Sequence, residues 1–525
     1  MADFKVLGLP GAGKTSDLER SIDSLLQDGT ADRLSDFCVC TFRKEMAADL
    51  KTRLKTKHEC ATEDLFNVGT IHAICRRILD INPKQIITDD DLKQFSKSTG
   101  WEYVPSKDND YIDPVDTGKI ETGNVLFDLY GWLQNTGKTV RDIDEYPNYW
   151  RLKTDENTAE EFINEYELFK HKNEKYDFND MLNTVLEAKA FPYTSVLIID
   201  EFQDLFPKLY EVFKQWHREA SHTYIAGDPY QCIYPFWGAT PEYFNDFDGT
   251  LKVLNKSWRF GPTVWNFAKE ILETAGYYDI PEITPVAESN EIRYLSQDEY
   301  LETALPQFTS STFHLVRCHY MAHRIAQHLI EAGIPFRGDN GWLDWQILAY
   351  NGLLVLWQKG YVNKLLLQTL INIHPDEFFN DKKENIKKAI EENRKPAYTL
   401  KEIKKFLSPL SRYSTDNFLS SLTAEHALEH ADISESAKNK IRNALEKRKQ
   451  LIGEISVYLG TIHSVKGWES DNVFVWNATN KRIDRNCFDA EQGKDEARVW
   501  FVAASRAKRN LFWVDAGTRY RYGGV

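Results

Sequence analysis

The first apolar run of the chain, FKVLG (residues 4–8), gives way to closely spaced glycines and then to apolar residues at Leu18, Ile22 and Leu25. That spacing predicts a helix with one buried face, and the run before it predicts a short strand. A second run, Val196–Ile199, is apolar at four consecutive positions, as suits a strand covered on both faces in a parallel sheet. Phe162, Tyr166 and Phe169 recur at helical spacing. In DKKENIKKAIEENRKPAYTLKEIKKF (381–406) lysines and glutamates recur at helical spacing, which reads as a solvated helix rather than a DNA-binding strip. Strand–turn–helix units with doubly covered strands predict an α/β fold built on parallel sheets. No internal repeat of fixed period and no low-complexity tail is present.

The glycine turn after the first strand carries candidate chemistry. GLPGAGKT (8–15) matches G-x-x-x-x-G-K-[ST] between strand and helix, the setting in which that pattern cradles phosphates. Gly8, Gly11 and Gly13 let backbone N–H groups converge at the helix N-terminus, with Ala12 and Ser16 in the same cradle. Lys14 is placed to reach the β- and γ-phosphates, and the Thr15 hydroxyl to ligate Mg²⁺. The run Val196–Ile199 delivers Asp200 and Glu201 at its carboxyl end, where open α/β sheets bind ligands. Asp200 fits the magnesium role and Glu201 the base that activates water; Asp204 reads as an acidic N-cap of the following helix.

At 525 residues the chain is too long for one core, so several domains are expected. Apolar content of 42% and charged content of 27% describe a soluble globular chain. Asp3 and Lys5 interrupt the start before a signal-like stretch develops, and GLLVLWQ (352–358) is too short to cross a bilayer. The seven cysteines are scattered, and Cys38-x-Cys40 lacks a second pair at zinc-ligand spacing. Reduced thiols and a cytoplasmic location follow. The net charge of −14 argues against a uniformly basic surface yet allows a local basic groove for nucleic acid. Of the generous aromatic set, which includes 14 tryptophans, most rings are expected in the core and a few as stacking platforms.

Further boxes resemble those of the UvrD/Rep-like superfamily 1A helicases. IIDEFQD (198–204) resembles the Walker B box, TFRKEMAADLKTRL (41–54) motif Ia, and VGTIHAICRRIL (68–79) the Gly-Thr-x-His box that follows. YDFNDML (176–182) resembles the helix before Walker B, GDPYQCIYPFWGA (227–239) motif III, and LNKSWRF (254–260) motif IV. LGTIHSVKGWESDNVFV (459–475) resembles motif V, and EARVWFVAASRAKRNLFW (496–513) motif VI. Together they keep the family's order over nearly the whole chain.

The resemblance implies two RecA-like motor domains, 1–75 with 175–250 and 251–338 with 452–525, ATP bound between them. It implies two mainly helical insertions, 76–174 and a small one at 339–451. Gln231 is implied as the γ-phosphate sensor, and Arg259 and Arg506 as arginine fingers, a task suited to a planar, permanently charged group. Glu469 resembles the ribose-contacting glutamate, with Lys466 and His463 near it. Phe42, Thr70, His72, Tyr234, Phe236, Trp237 and His463 lie where the family contacts its strand, rings there stacking on bases.

Departures concern the base. The loop at Gly8 leaves no room upstream for the family's glutamine box, Ser16 stands where arginine tends to pack on the base, and Trp258 replaces a stacking tyrosine. Trp258 is therefore expected to supply most of the base contact, with relaxed discrimination among nucleoside triphosphates. Trp237 stands where arginine is more frequent. The sequence ends soon after motif VI, so an appended nuclease domain or partner-binding tail is not expected. The expectation is a Mg²⁺-dependent, ATP-driven translocase and helicase on single-stranded DNA and its junctions with duplex, moving 3′→5′. Alternatives are a protein-displacing translocase and a DNA-stimulated ATPase subunit of a nuclease, repair or defence complex. RNA stays open as the strand, because stacking does not report the 2′-hydroxyl.

Overall fold

The structure, a computed structural model, describes residues 2–105, 122–147, 149, 152, 154–288, 291–304, 311–375, 383–392, 395–399 and 424–524. Two six-stranded sheets, all parallel, form its frame. The first contains β1 (Ala2–Gly8), β2 (Phe37–Thr41), β3 (Val68–Thr70), β4 (Val196–Ile199), β5 (His222–Gly227) and β6 (Thr250–Leu254), in the order β3-β2-β4-β5-β1-β6. β2 and β4 are buried along their whole length, which is why their sequences are apolar without alternation. The helix Lys14–Gln27 buries Leu18, Ile22 and Leu25 in one cluster with Val6, Val39 and Ile198. Because β6 pairs with β1 from Phe4↔Thr250 to Gly8↔Leu254, the first sheet runs past the boundary at 250 read from the sequence.

The second sheet contains β7 (Glu291–Ser296), β8 (Thr312–Val316), β9 (Arg337–Gly338), β10 (Val457–Thr461), β11 (Ser470–Asn477) and β12 (Ala507–Asp515), in the order β9-β10-β8-β11-β12-β7. The helices Pro262–Thr274 and Ala490–Ala504 pack on it through Phe267, Trp500 and Phe501.

The two insertions are built differently. Helices Asp89–Thr99, Thr122–Thr136 and Glu156–Lys172 enclose an aromatic core of their own around Phe95, Tyr130, Phe162 and Tyr166. At its edge the buried Lys170 ammonium donates to Tyr130 Oη (2.9 Å), Asp177 Oδ2 (2.8 Å) and Asp180 Oδ1 (2.8 Å), fastening the insertion to the helix Phe178–Glu187 that Asp177 caps. The later insertion shares one core with the second sheet: Tyr350, Leu353, Ile441 and Ala444 cluster with Val316, Phe474 and Phe512. In the lysine-rich block, Lys383–Glu392 is a helix that buries Ile386 and Ile390 and pairs Lys387 with Glu384 at 2.8 Å. It is thus amphipathic rather than solvated all round. Ala397–Thr399 of that block pairs with Tyr361–Asn363, and 381–382, 393–394 and 400–406 lie outside the described residues.

Candidate active site

β1, β4 and β5 end side by side, with Leu7 opposite Gly227 and Ile199 opposite Ile225, so three loops open into one crevice. The loop after β1 turns through Gly11 (φ +74°) and Gly13 (φ +80°), left-handed conformations that favour glycine. At Gly11 a Cβ would lie 2.5 Å from Arg259 Cβ and 2.7 Å from Ser257 Oγ. The loop is therefore backed by the segment after β6: Ser257 Oγ donates to Pro10 O at 2.7 Å and Trp258 N to Gly11 O at 3.0 Å. Lys14 folds back over the loop's own backbone and donates from Nζ to Gly8 O at 2.9 Å. Ala12 is buried and Ser16 exposed.

Thr15 Oγ1 donates to Asp200 Oδ2 at 3.0 Å. Burial, with Glu201 beside it, pushes the Asp200 carboxyl up to about 6. A hydroxyl and a desolvated carboxyl side by side fit a divalent cation that keeps water and phosphate as its other ligands, as Mg²⁺ does. Glu201 takes the left-handed conformation (φ +54°), and its Oε2 accepts from Gln203 Nε2 at 2.6 Å. Burial works against its charge, but Lys14, Lys466, Gln203 and Arg506 together hold it down to about 2. The carboxylate is thus ionised and aimed.

From Glu201 a hydrogen-bond chain crosses to the second sheet. Gln203 Oε1 accepts from Asp228 N (2.9 Å), Asp228 Oδ2 from Gln231 Nε2 (2.6 Å), and Gln231 Oε1 from Arg506 Nη2 (2.6 Å). Burial pushes Asp228 up to about 6 and drives the Arg506 guanidinium well below its ordinary value. Arg506 also donates to Val502 O and Trp468 O. Arg259 Nε donates to Glu469 Oε2 at 2.9 Å and its Nη1 to Ser505 O at 3.2 Å. Burial opposes the Glu469 charge, but Arg259 and Lys508 hold that carboxyl below its usual range. Glu469 therefore anchors Arg259, and Trp258, 67% exposed beside the loop, offers an open face.

Asp204 corrects the sequence reading. It does not cap the following helix, Pro207–Glu219, whose N-cap is Phe206. Both its oxygens accept from Lys466 Nζ at 2.5 Å, and the same ammonium donates to Gln231 O. Burial pushes Asp204 up to about 7, with Lys466 pulling against it. Neither Gln203 nor the Asp204–Lys466 pair was singled out from the sequence, because each acts through a partner remote in the chain.

This arrangement of loop, paired carboxylates and cations brought from a second sheet coincides with what comparison finds. The family description UvrD/REP helicase N-terminal domain matches residues 2–252, and UvrD-like helicase C-terminal domain matches 357–516. The chain belongs to the UvrD/Rep-like superfamily 1 helicases. A DNA helicase II homologue of Mycoplasma pneumoniae is 23% identical over 96% of this chain and 80% of its own length. The ATP-dependent DNA helicase UvrD2 of Mycobacterium tuberculosis is 24% identical over 51% of this chain and 41% of its own. The ATP-dependent DNA helicase srs2 of Schizosaccharomyces pombe is 24% identical over 80% and 52% respectively.

Of the residues expected to face the strand in this UvrD/Rep-like chain, Phe42, Phe236 and Trp237 are half-buried. Tyr234 and His463 are not surface platforms: they are 1% and 2% exposed. Tyr234 is stacked on Phe42 at 5.6 Å, with Phe236 edge-on at 6.0 Å and Lys466 Nζ 5.0 Å from its ring centre. Its ring supports the Lys466 ammonium instead. Thr70 caps the helix Ile71–Ile78, accepting from Ala73 N at 3.2 Å. His72 lies edge-on to Phe178 at 5.2 Å, and burial pulls its imidazole down to about 4, so it is neutral at pH 7. Trp237 packs on the earlier insertion, where a Cβ on Gly131 would lie 3.4 Å from its ring. Among the described residues no helix is long and apolar enough to cross a membrane, and no group of three or more His, Cys, Asp or Glu could hold a metal.

Proposed function

We propose that this chain hydrolyses ATP with Mg²⁺ to move 3′→5′ along single-stranded DNA and unwind duplex ahead of it. The observation that carries the reading is the chain Glu201–Gln203–Asp228–Gln231–Arg506, which joins the water-orienting carboxylate of one sheet to a cation of the other. Lys14 would turn from Gly8 O to the phosphates, and Thr15 and Asp200 would hold a Mg²⁺ that supplies neutralisation of phosphate charge. Glu201, held at about 2, accepts a hydrogen bond from water and orients it in line; so acidic a group is suited to steering more than to early proton removal. Arg506 and Arg259 stabilise charge spreading over the transferred phosphoryl. Gln231 touches Arg506 and Asp228 at once, so a change at motif III reaches both the finger and the carboxylates.

The strand lies against Phe42, Phe236 and Trp237, where stacking is indifferent to sequence. At the base, Trp258 provides a π-face, and a face reads no donor–acceptor pattern. Ser16 is exposed and short. Discrimination among nucleoside triphosphates is therefore relaxed.

One assay set tests this. Hydrolysis of ATP, GTP, CTP and UTP is measured with and without single-stranded DNA, and unwinding is measured on 3′- and 5′-tailed duplexes. The expected result is DNA-stimulated turnover, unwinding of the 3′-tailed substrate and less than a roughly hundredfold kcat/KM preference for ATP. Lys14→Ala abolishes turnover while the melting temperature holds. Normal hydrolysis by that variant removes the assignment, and stimulation without strand separation favours the subunit of a larger complex.

A further inference from the structure

Motif III is held by the second motor domain from two directions, and only one belongs to the nucleotide crevice. On the crevice side Arg506 and Lys466 take the side-chain and main-chain oxygens of Gln231. On the other side Arg498, from the helix Ala490–Ala504, donates from Nε to Cys232 O, the next carbonyl, at 2.7 Å. Arg498 is 4% exposed. Its Nη1 donates to Tyr277 Oη at 2.6 Å and its Nη2 to Asp495. Tyr277 lies edge-on to Tyr230 of motif III at 5.5 Å, and Tyr230 Oη donates to Asp279 O at 2.8 Å.

Two of the three partners of Arg498, Asp495 and Tyr277, belong to its own sheet and its covering helices, whereas Cys232 follows β5 of the first sheet and packs into the core of the second. The guanidinium is thus oriented by its own side and holds the end of motif III with its remaining donor. A planar fork with fixed donors suits this, because aiming it costs little further entropy. The bond falls one residue from Gln231, whose amide must meet Arg506 and Asp228 together. Cys232 N–H in turn closes the 3₁₀ turn Pro229–Gln231 onto Pro229 O. Fixing that carbonyl sets where the Gln231 side chain begins.

We propose that Arg498, oriented by Tyr277 and Asp495, is a positioning residue for hydrolysis: by holding Cys232 O, one residue beyond Gln231, it keeps Gln231 in register with Arg506. The inference rests on the reading of the crevice as an ATP-hydrolysing site. Cys232, Tyr277 and Asp495 take up the donors of Arg498 on the side of motif III away from the crevice, so its loss lowers kcat and leaves nucleotide affinity in place.

The test compares the full chain with Arg498→Lys and Tyr277→Phe at saturating single-stranded DNA, recording ATP KM, kcat and melting temperature. Lysine keeps the charge beside Asp495 but cannot serve three acceptors in a fork. Arg498→Lys is expected to lose about tenfold or more in kcat with KM within about threefold, the loss of one hydrogen bond from a charged group. Tyr277→Phe leaves the arginine and its charge in place and removes one orienting oxygen, so a smaller kcat loss of the same kind is expected. The proposal is overturned if both variants turn over like the parent, if their kcat falls only in proportion to the folded fraction, or if KM rises while kcat holds. Failure of the underlying reading looks different: the parent itself shows no DNA-stimulated hydrolysis, or Lys14→Ala leaves it intact.

Discussion

The two sheets have the same number of strands, all parallel, yet they bring opposite charge to the crevice. The first contributes Asp200, Glu201, Asp204 and Asp228, all at the ends of β4 and β5 or just beyond, with Lys14 the cation among them. The second contributes Lys466 and Arg506 at the ends of elements around β10 and β12, while Arg498 from a covering helix reaches motif III from outside the crevice. Each of these three cations spends at least one donor on the first: Lys466 on Asp204, Arg506 on Gln231, Arg498 on Cys232. Under the proposed reading, a hydrolytic site divided by charge in this way needs both halves: the first would bind nucleotide and the second would supply the cations that chemistry requires.

Removing a cation from the second half is the severest test of that division. Arg506→Ala is expected to lower kcat by about 10³–10⁵, the range for arginine fingers, while ATP KM changes little. Arg506→Lys is expected to recover only a small part, because Nε, Nη1 and Nη2 each have their own acceptor here and an ammonium cannot span them. Steady-state hydrolysis with saturating DNA decides it. A kcat within tenfold of the parent for Arg506→Ala would mean that the first half is sufficient for chemistry.

Next in size is the buried pair between the halves. Lys466 and Asp204 are both nearly inaccessible, with side chains 5% and 1% exposed. Leaving either alone strands a charge or a polar group, at a cost of about 3–5 kcal/mol. Asp204→Leu or Lys466→Met alone should therefore destabilise strongly, and the double variant much less than their sum. Denaturant unfolding of the four proteins reads the coupling. Additive losses would show that the pair is incidental to how the halves fit together.

The same division explains what the sequence made visible. The P-loop, Asp200 and Glu201 are local features, each announced by an apolar strand and the residues at its end, and the structure puts them side by side. Asp204 and Tyr234 were misjudged for one reason. Their roles are set by Lys466, more than two hundred residues away in the chain, and local pattern treats an Asp before a helix as a cap and a ring in an exposed motif as a platform. Trp237 reads in the sequence only as a strand contact, and its packing on the earlier insertion shows once Gly131 stands opposite it. The later insertion reads as a separate unit because it interrupts the motifs; yet its apolar faces join the core of the second sheet, which only packing reveals.

The mildest expected effect concerns protons on the first sheet. Burial pushes Asp200 and Asp228 up to about 6 from an ordinary 3.8, whereas neighbouring cations hold Glu201 down to about 2. A carboxyl raised by folding contributes stability that is fully present below 3.8 and is lost as pH rises through about 6. Glu201 acts in the opposite sense: its contribution is present above 4.5 and is lost only as pH falls through about 2. Between pH 5 and 7.5 Glu201 is thus constant, and the change belongs to Asp200 and Asp228 together with Asp204, which burial pushes up to about 7. Mg²⁺ with ADP requires the ionised form of Asp200, so its affinity should weaken about tenfold for each pH unit below 6 and level off above 7. The rise in melting temperature on adding Mg²⁺ and ADP should accordingly be small at pH 5 and grow to a plateau near pH 7. Asp200→Asn removes the titrating group and should flatten that profile, whereas Arg506→Ala, altered only in the second half, should keep it. A melting increment that is equal at pH 5 and 7.5 in the parent chain would refute the placement of the metal at Thr15 and Asp200. An increment flattened by Arg506→Ala would mean that proton uptake is not confined to the first sheet.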